Sequence, residues 1–401
     1  MLSARHHARA RSSLVFATLV LGGALGVGCT DARILQPDRD GEVALETPAT
    51  LETTLGAPVP IEFDTYEASR QVVHPSAVVF PSAWHGQRFW LALTPYPNSD
   101  SRVENPSLYA GATGADWLAP KGLTNPVART RRGYLSDPDL AYDPAADELR
   151  LYYREVMEKH HGKAKPGHEA DVVYLARSKD GVTWSPARPV VADVGRFVVS
   201  PAIARRANGD WKMWSVDAGR SGCTARATHI IMRSSSDGVA WSEPSRVSFK
   251  QQGYHPWHLD VQYVSQLGAY WALVAAFPHG ATCTATSLFL ATSTDGVNWT
   301  TFPTPLLSRG VLPQFSTNVY RSTFAFDEDG NGLTIWLTGA TTIKPADGKK
   351  PPTLRWSAAV WHTHREAILT HVNAASVSLP RVFPDSQLTF LRQMAVANTL
   401  P

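Results

Sequence analysis

Ser178-Lys179-Asp180-Gly181-Val182-Thr183-Trp184, Ser235-Ser236-Asp237-Gly238-Val239-Ala240-Trp241 and Ser293-Thr294-Asp295-Gly296-Val297-Asn298-Trp299 are three copies of one mark. A worn fourth copy, Gly111 to Trp117, keeps Gly114 and Trp117. Asp and Gly tolerate positive φ at low cost, so each copy reads as a hairpin turn, with Ser as its cap and Trp packing between sheets. That structural role makes these aspartates poor catalytic candidates. Ahead of the marks, runs of aromatic and aliphatic residues open at Phe89, Leu149, Trp211, Tyr270 and Leu333, one about every 60 residues. β-rich units of this length cannot bury a face alone. The repeat therefore predicts an all-β fold, a five-bladed β-propeller with four-stranded antiparallel blades.

First strands are expected at His74 to Phe80, Asp137 to Asp143, Ser200 to Arg205, His258 to Tyr263 and Tyr320 to Asp327. The fifth unit lacks the Asp-Gly mark, with Leu354 to Trp361 as its third strand, and Pro60 to Tyr66 can supply a closing strand that leaves no open edge. The chain has 401 residues, and 38 basic against 35 acidic side chains give a net charge of only +3. With no dense basic stripe, a nucleic-acid partner is excluded, and one monomeric domain accounts for most of the length.

Arg5, Arg9 and Arg11 precede an apolar stretch from Leu14 to Val27, so residues 1–28 read as a secretory signal. Leu25-Gly26-Val27-Gly28-Cys29 resembles the bacterial lipoprotein box, with Gly26 where Leu is usual. The expectation is lipidation at Cys29, a tether over 29–58, the propeller over 59–401, and a place in the bacterial cell envelope on a lipid anchor, or plain secretion. Cys223 and Cys283 occupy equivalent loops of consecutive repeats, which in an oxidising compartment predicts a disulfide.

In a propeller the first strands line a central channel, and their starts, with the loops after the second strands, face one pocket. These positions are polar: His74 and Ser76, Asp137 and Asp139, Ser200, His258 and Asp260, Tyr320 and Arg321, joined by Glu104, Arg154, Glu155, Asp217 and Trp257. Glycoside cleavage needs an acid for the departing oxygen and a second carboxylate for water or carbon. Asp139, Asp260, Glu104, Glu155 and Asp137 are the catalytic candidates. Substrate contacts fall to His74, Ser76, Arg154, Ser200, Asp217, Trp257, His258, Tyr320 and Arg321. Trp90 and Trp271 read as core. His160, His161 and His168 sit in a Lys-rich insertion that reads as a solvated loop rather than a metal site. No cofactor is called for, although channel acids are compatible with a structural Ca²⁺.

The repeat and its Ser-x-Asp-Gly-x-x-Trp marks resemble the five-bladed propeller glycoside hydrolases of the family 43 and family 32 clan. His74-Pro75-Ser76, Glu104-Asn105-Pro106-Ser107 and Asp137-Pro138-Asp139 are similar to stretches of uncharacterised secreted bacterial members. The resemblance implies a carboxylate base on the first strand of the first blade, an orienting Asp on the second and a Glu acid further round. Asp139 matches the second role, but Ser76 stands where the base belongs. The reading is a secreted hydrolase acting on a polysaccharide or glycoconjugate. One alternative is a non-catalytic carbohydrate-binding propeller. Another is a sialidase-like enzyme using Arg154, Arg321 and Tyr320, against which the five units argue.

Overall fold

The computed structural model describes residues 55–130, 133–159, 167–344 and 351–374. The signal stretch, Cys29 and all but the last residues of the tether lie outside them. Strand β1 (Val59–Ile61) precedes blade 1, formed by β2 (Val72–Trp84), β3 (Gln87–Pro95) and β4 (Ser107–Gly111). Blade 2 holds β5 (Gly133–Asp143), β6 (Glu148–Lys159), β7 (Gly167–Ser178) and β8 (Arg188–Val194). Blade 3 holds β9 (Val198–Arg205), β10 (Trp211–Asp217), β11 (His229–Ser235) and β12 (Ser245–Arg246). Blade 4 holds β13 (Tyr254–Val264), β14 (Ala269–Pro278), β15 (Ser287–Ser293) and β16 (Thr300–Thr301). In blade 5 the first strand is broken into β17 (Asn318–Val319) and β18 (Thr323–Phe326), followed by β19 (Gly332–Ile343) and β20 (Thr353–His364).

The fold is thus the five-bladed antiparallel propeller that the repeat predicts. Two details depart from the expectation. Blade 1 has three strands, its fourth reduced to the single bridge between Ala110 and Leu118. The break after Val319 leaves Tyr320 and Arg321 off the ladder and free to point along the channel. The ring closes as expected, because β1 pairs with β20 and makes the N-terminal strand the outer edge of the last blade.

The repeated turns act locally as sequence chemistry dictates. Ser178 Oγ accepts the Gly181 N–H at 2.8 Å, and Asp180 Oδ1 accepts those of Val182 and Thr183. They also lock neighbouring blades together. Tyr152 of blade 2 donates its hydroxyl to the Gly238 carbonyl of blade 3 at 2.8 Å, and Trp214 of blade 3 donates to Gly296 of blade 4 at 2.8 Å. Trp336 of blade 5 donates to Gly114 of blade 1 at 2.7 Å, which closes the circle. Only glycine fits: at Gly181, with φ of +73°, a Cβ would lie 2.1 Å from the Trp90 ring.

The apolar core sits between blades, with Trp90, Trp211, Trp214, Trp336 and Trp361 all but inaccessible. Helix α1 (Arg365–Ala374) adds Ile368 and Val372 to the cluster between blades 4 and 5. Cys223 and Cys283 are bonded, joining the upper loops of blades 3 and 4. A link across a sequence separation of 60 restricts the unfolded chain by about 4 kcal/mol on chain-entropy grounds.

Candidate functional site

Three prolines share one place on successive first strands, in His74-Pro75, Asp137-Pro138 and Ser200-Pro201. The residue before each has positive φ, 58° for His74, 48° for Asp137 and 60° for Ser200. A residue preceding proline ordinarily stays extended, so each of these costs about 1–3 kcal/mol. At each one the pairing register shifts, and a bulge turns a side chain off the ladder. Blade 4 has a matching shift between Pro256 and His258.

His74 and Asp137, aimed in this way, meet His258 on the axis. His74 Nε2 lies 3.2 Å and His258 Nδ1 3.3 Å from the same oxygen, Asp137 Oδ1. Ligand atoms of the three residues fall within 4.8 Å of one another, and all three residues are buried. None of these atoms makes an aligned hydrogen bond, and His258 Nε2 is equally unpartnered. The second Asp137 oxygen is taken by Arg154 Nε at 2.8 Å, and Arg154 also reaches Asp171 Oδ2 at 3.4 Å and the Ser136 hydroxyl at 2.9 Å. On its far side His74 Nδ1 lies 3.2 Å from Thr94 Oγ1 and 3.6 Å from Glu104 Oε1.

Electrostatics sort these groups. Burial drives the His74 imidazole down to about 4, and burial likewise holds His258 well below the usual histidine range. Both rings are neutral at physiological pH, with lone pairs to offer. Burial works to raise the Asp137 carboxyl, but the charges around it, Arg154 and Arg321 among them, outweigh it and keep the group an anion. Burial, reinforced by the Asp137 charge, pushes Glu104 well above the usual carboxylate range. Two neutral imidazoles and one carboxylate with orphaned lone pairs suit a divalent transition-metal cation, and Arg154 is the outer partner that orients the carboxylate.

Aromatic rings wall the group. Tyr320 packs on His258 at 4.4 Å between ring centres and accepts a hydrogen bond from Trp257 Nε1 at 3.2 Å. Burial raises the Tyr320 phenol, so it stays protonated and able to donate. Trp356 lies 4.9 Å from Tyr320 and 5.2 Å from Tyr96.

The structure brings His74, Glu104, Asp137, Arg154, Trp257, His258 and Tyr320 together. It sets the other candidates apart. Asp139 and Asp260 do meet in one cavity, of about 270 Å³, but one level down the channel, where it opens toward the hairpin-turn end among Tyr142, Arg205 and Tyr263. Arg321 separates the levels: fully buried, it donates to Asp139 Oδ1 at 2.6 Å and to the carbonyls of Pro138 and Pro201. Ser76 donates to Asp139 and receives the Leu140 N–H, and Ser200 bonds the Leu259 backbone, so both are scaffold. Glu155 bonds Thr130, and Asp217 pairs with Arg196 and contacts His229. Neither reaches the axial group. Thr94 and Asp171 were missed from sequence; a signal for Asp171 existed, since a buried Arg154 beside one carboxylate calls for a second.

No family model matches the chain. An A type blood N-acetyl-alpha-D-galactosamine deacetylase of Flavonifractor plautii is 32% identical over 321 residues, covering 69% of this chain. The chain spans only 41% of that relative's length. Among solved structures, an N-acetylgalactosamine deacetylase from F. plautii in complex with blood group B trisaccharide has a TM-score of 0.69 at 26% identity, covering 79% of this chain and 97% of that one. The catalytic domain of a Coprinopsis cinerea GH62 alpha-L-arabinofuranosidase has a TM-score of 0.51 at 13% identity, covering 77% and 96%, a likeness of fold alone. The chain carries the fold of the propeller glycoside hydrolases, and the proteins it is similar to are carbohydrate-active enzymes.

Proposed function

We infer that this protein is a carbohydrate-active hydrolase that removes the acetyl group from an N-acetylated hexosamine, leaving the glycosidic bond intact. The observation that carries the reading is the His74–Asp137–His258 group, whose buried ligand atoms converge without an aligned hydrogen bond among them. The likeness to a galactosamine deacetylase supports it.

Hydrolysis of the amide adds water across the C–N bond: oxygen joins the acetyl carbon, the bond to nitrogen breaks, and the products are acetate and the free amine. A divalent cation held by His74, Asp137 and His258 would supply Lewis acidity to the carbonyl and to the attacking water. Glu104, which burial keeps protonated, gives its proton to the departing nitrogen and recovers one from the attacking water. Tyr320, with Trp257 donating to its oxygen, directs its own proton at the oxygen of the tetrahedral intermediate. Arg154 holds Asp137 by one oxygen and leaves the other facing the centre.

The glycosidase and sialidase readings lack free groups. Asp139 is engaged by Arg321, and neither Arg154 nor Arg321 can fork a substrate carboxylate while it holds its own acids. Tyr320 is no ready nucleophile with its phenol kept protonated. Envelope localisation through Cys29 belongs to the same proposal, supported by the disulfide, which suits an oxidising compartment.

Replacement of Glu104 by Gln tests the assignment. Acetate release from an N-acetylgalactosaminide should fall about 10²–10⁴-fold, while titration with Zn²⁺ gives an unchanged stoichiometry. Undiminished acetate release would remove Glu104 from the chemistry, and absence of acetate release from the intact protein would overturn the reading.

A further inference from the structure

The connections of blades 3 and 4 at the axial-group end carry cations without acids. At the hairpin end, turn chemistry places exposed carboxylates at Asp147, Asp237, Asp295 and Asp329. At the end that bears the His74–Asp137–His258 group, the connections of blades 3 and 4 over 195–197, 218–228, 247–253, 279–286 and 302–317 contain no Asp or Glu. They carry Arg196, Arg220, Arg226, Lys250 and Arg309, all exposed. In a chain of 38 basic and 35 acidic residues these connections stand out, whereas the run into blade 1 carries exposed Glu62 and Asp64, which pair with Arg70.

Arg196 and Arg220, with Val194, Gly195 and Gly219, line an open pocket of about 480 Å³. It adjoins the axial group through a short chain of contacts. The N–H of Val198, two residues beyond Arg196, is bound by Asp171 Oδ2 at 2.7 Å, Asp171 contacts Arg154, and Arg154 contacts Asp137. Arg196 is paired with Asp217, whereas the Arg220 guanidinium has no partner among the described residues. Glu169, whose carbonyl takes the Gly195 N–H, adds one carboxylate beside the pocket.

We propose that this face binds an acidic polysaccharide, one that alternates N-acetylhexosamine with carboxylate- or sulfate-bearing sugars, and that Arg220 contacts its charges. The cations are spread over two blades, which suits a chain of repeated charges better than one terminal acid. Arginine also matches the planar carboxylate and the sulfate by paired N–H donors. This deepens the deacetylase reading and rests on it for the N-acetylhexosamine alone.

The test measures binding apart from turnover, by calorimetry with chondroitin sulfate, unsulfated chondroitin and carboxyl-reduced unsulfated chondroitin. Both charged chains should bind at least about tenfold tighter than the neutral one, with affinity falling as salt rises. Arg220→Glu should weaken binding of the charged chains about tenfold with an unchanged thermal midpoint. A response to the sulfated chain alone would identify sulfate as the group read, and a response to both would identify the carboxylate. Equal affinity for the neutral chain, or an unaffected Arg220→Glu protein, overturns the proposal. So does capture by phosphatidylglycerol vesicles in place of the glycans, which would mark a membrane-facing surface. Failure of acetate release would leave these outcomes standing, and equal binding of all three chains would leave the deacetylase reading standing.

Discussion

Asp137→Asn should lower acetate release about a thousandfold and leave a folded protein. The loss follows from position: Asp137 supplies the one oxygen that both His74 and His258 face, and its charge is maintained by Arg154 against the pull of burial. An amide oxygen in its place offers a weaker donor, and rotation of the amide would turn an N–H toward the imidazoles. Folding is retained because Arg154 keeps Asp171 and Ser136 as partners. Chelation of the intact protein with EDTA should produce a loss of the same order, restored by added Zn²⁺ or another divalent metal. Wild-type turnover in Asp137→Asn, or full activity in chelator, would show that the chemistry lies elsewhere.

Asp139→Asn should act on stability instead, by about 3–5 kcal/mol in urea unfolding. Among the described residues its carboxylate is the one acid that forms an ion pair with Arg321, which is fully buried and pins the Pro138 and Pro201 carbonyls behind two strained residues. An uncompensated guanidinium at that point would loosen the bulges that present Asp137. Asp260→Asn should behave oppositely. Burial, aided by the Asp139 charge, pushes the Asp260 carboxyl above its ordinary range. The folded protein therefore holds a proton that the unfolded chain has released, and stability falls as pH rises from the unfolded value of this carboxyl through the folded one. Asn at 260 removes that loss, so the variant should match the parent in acid and exceed it in alkali. Equal destabilisation by both substitutions at neutral pH would contradict this division of roles.

The blades were legible because their signals are local. Asp-Gly turns, Ser caps and the aromatic and aliphatic runs of the second strands depend on chemistry within a few residues, and aromatics inside those runs, Tyr152, Trp214 and Trp336, make the contacts between blades. The channel's depth was not legible. Asp137 and Asp139 are two residues apart and both line the axis, yet a bulge and the Arg321 guanidinium put them on different levels. A proline after His74, Asp137 or Ser200 reads as an extended step, whereas the backbone there takes positive φ. His74 and His258 were visible as polar channel positions, but not their meeting on one oxygen of Asp137, which depends on three blades closing to within a few ångströms. Thr94 and Asp171 reach the group from second and third strands, where no repeat mark points to the axis.

Mass spectrometry of a defined oligosaccharide with an internal N-acetylgalactosamine, incubated with the protein and a divalent metal, tests the central claim most directly. The account predicts loss of one acetyl group with the number of sugars unchanged. Shorter oligosaccharides with every acetyl group retained would contradict it and return the chemistry to the glycosidic bond.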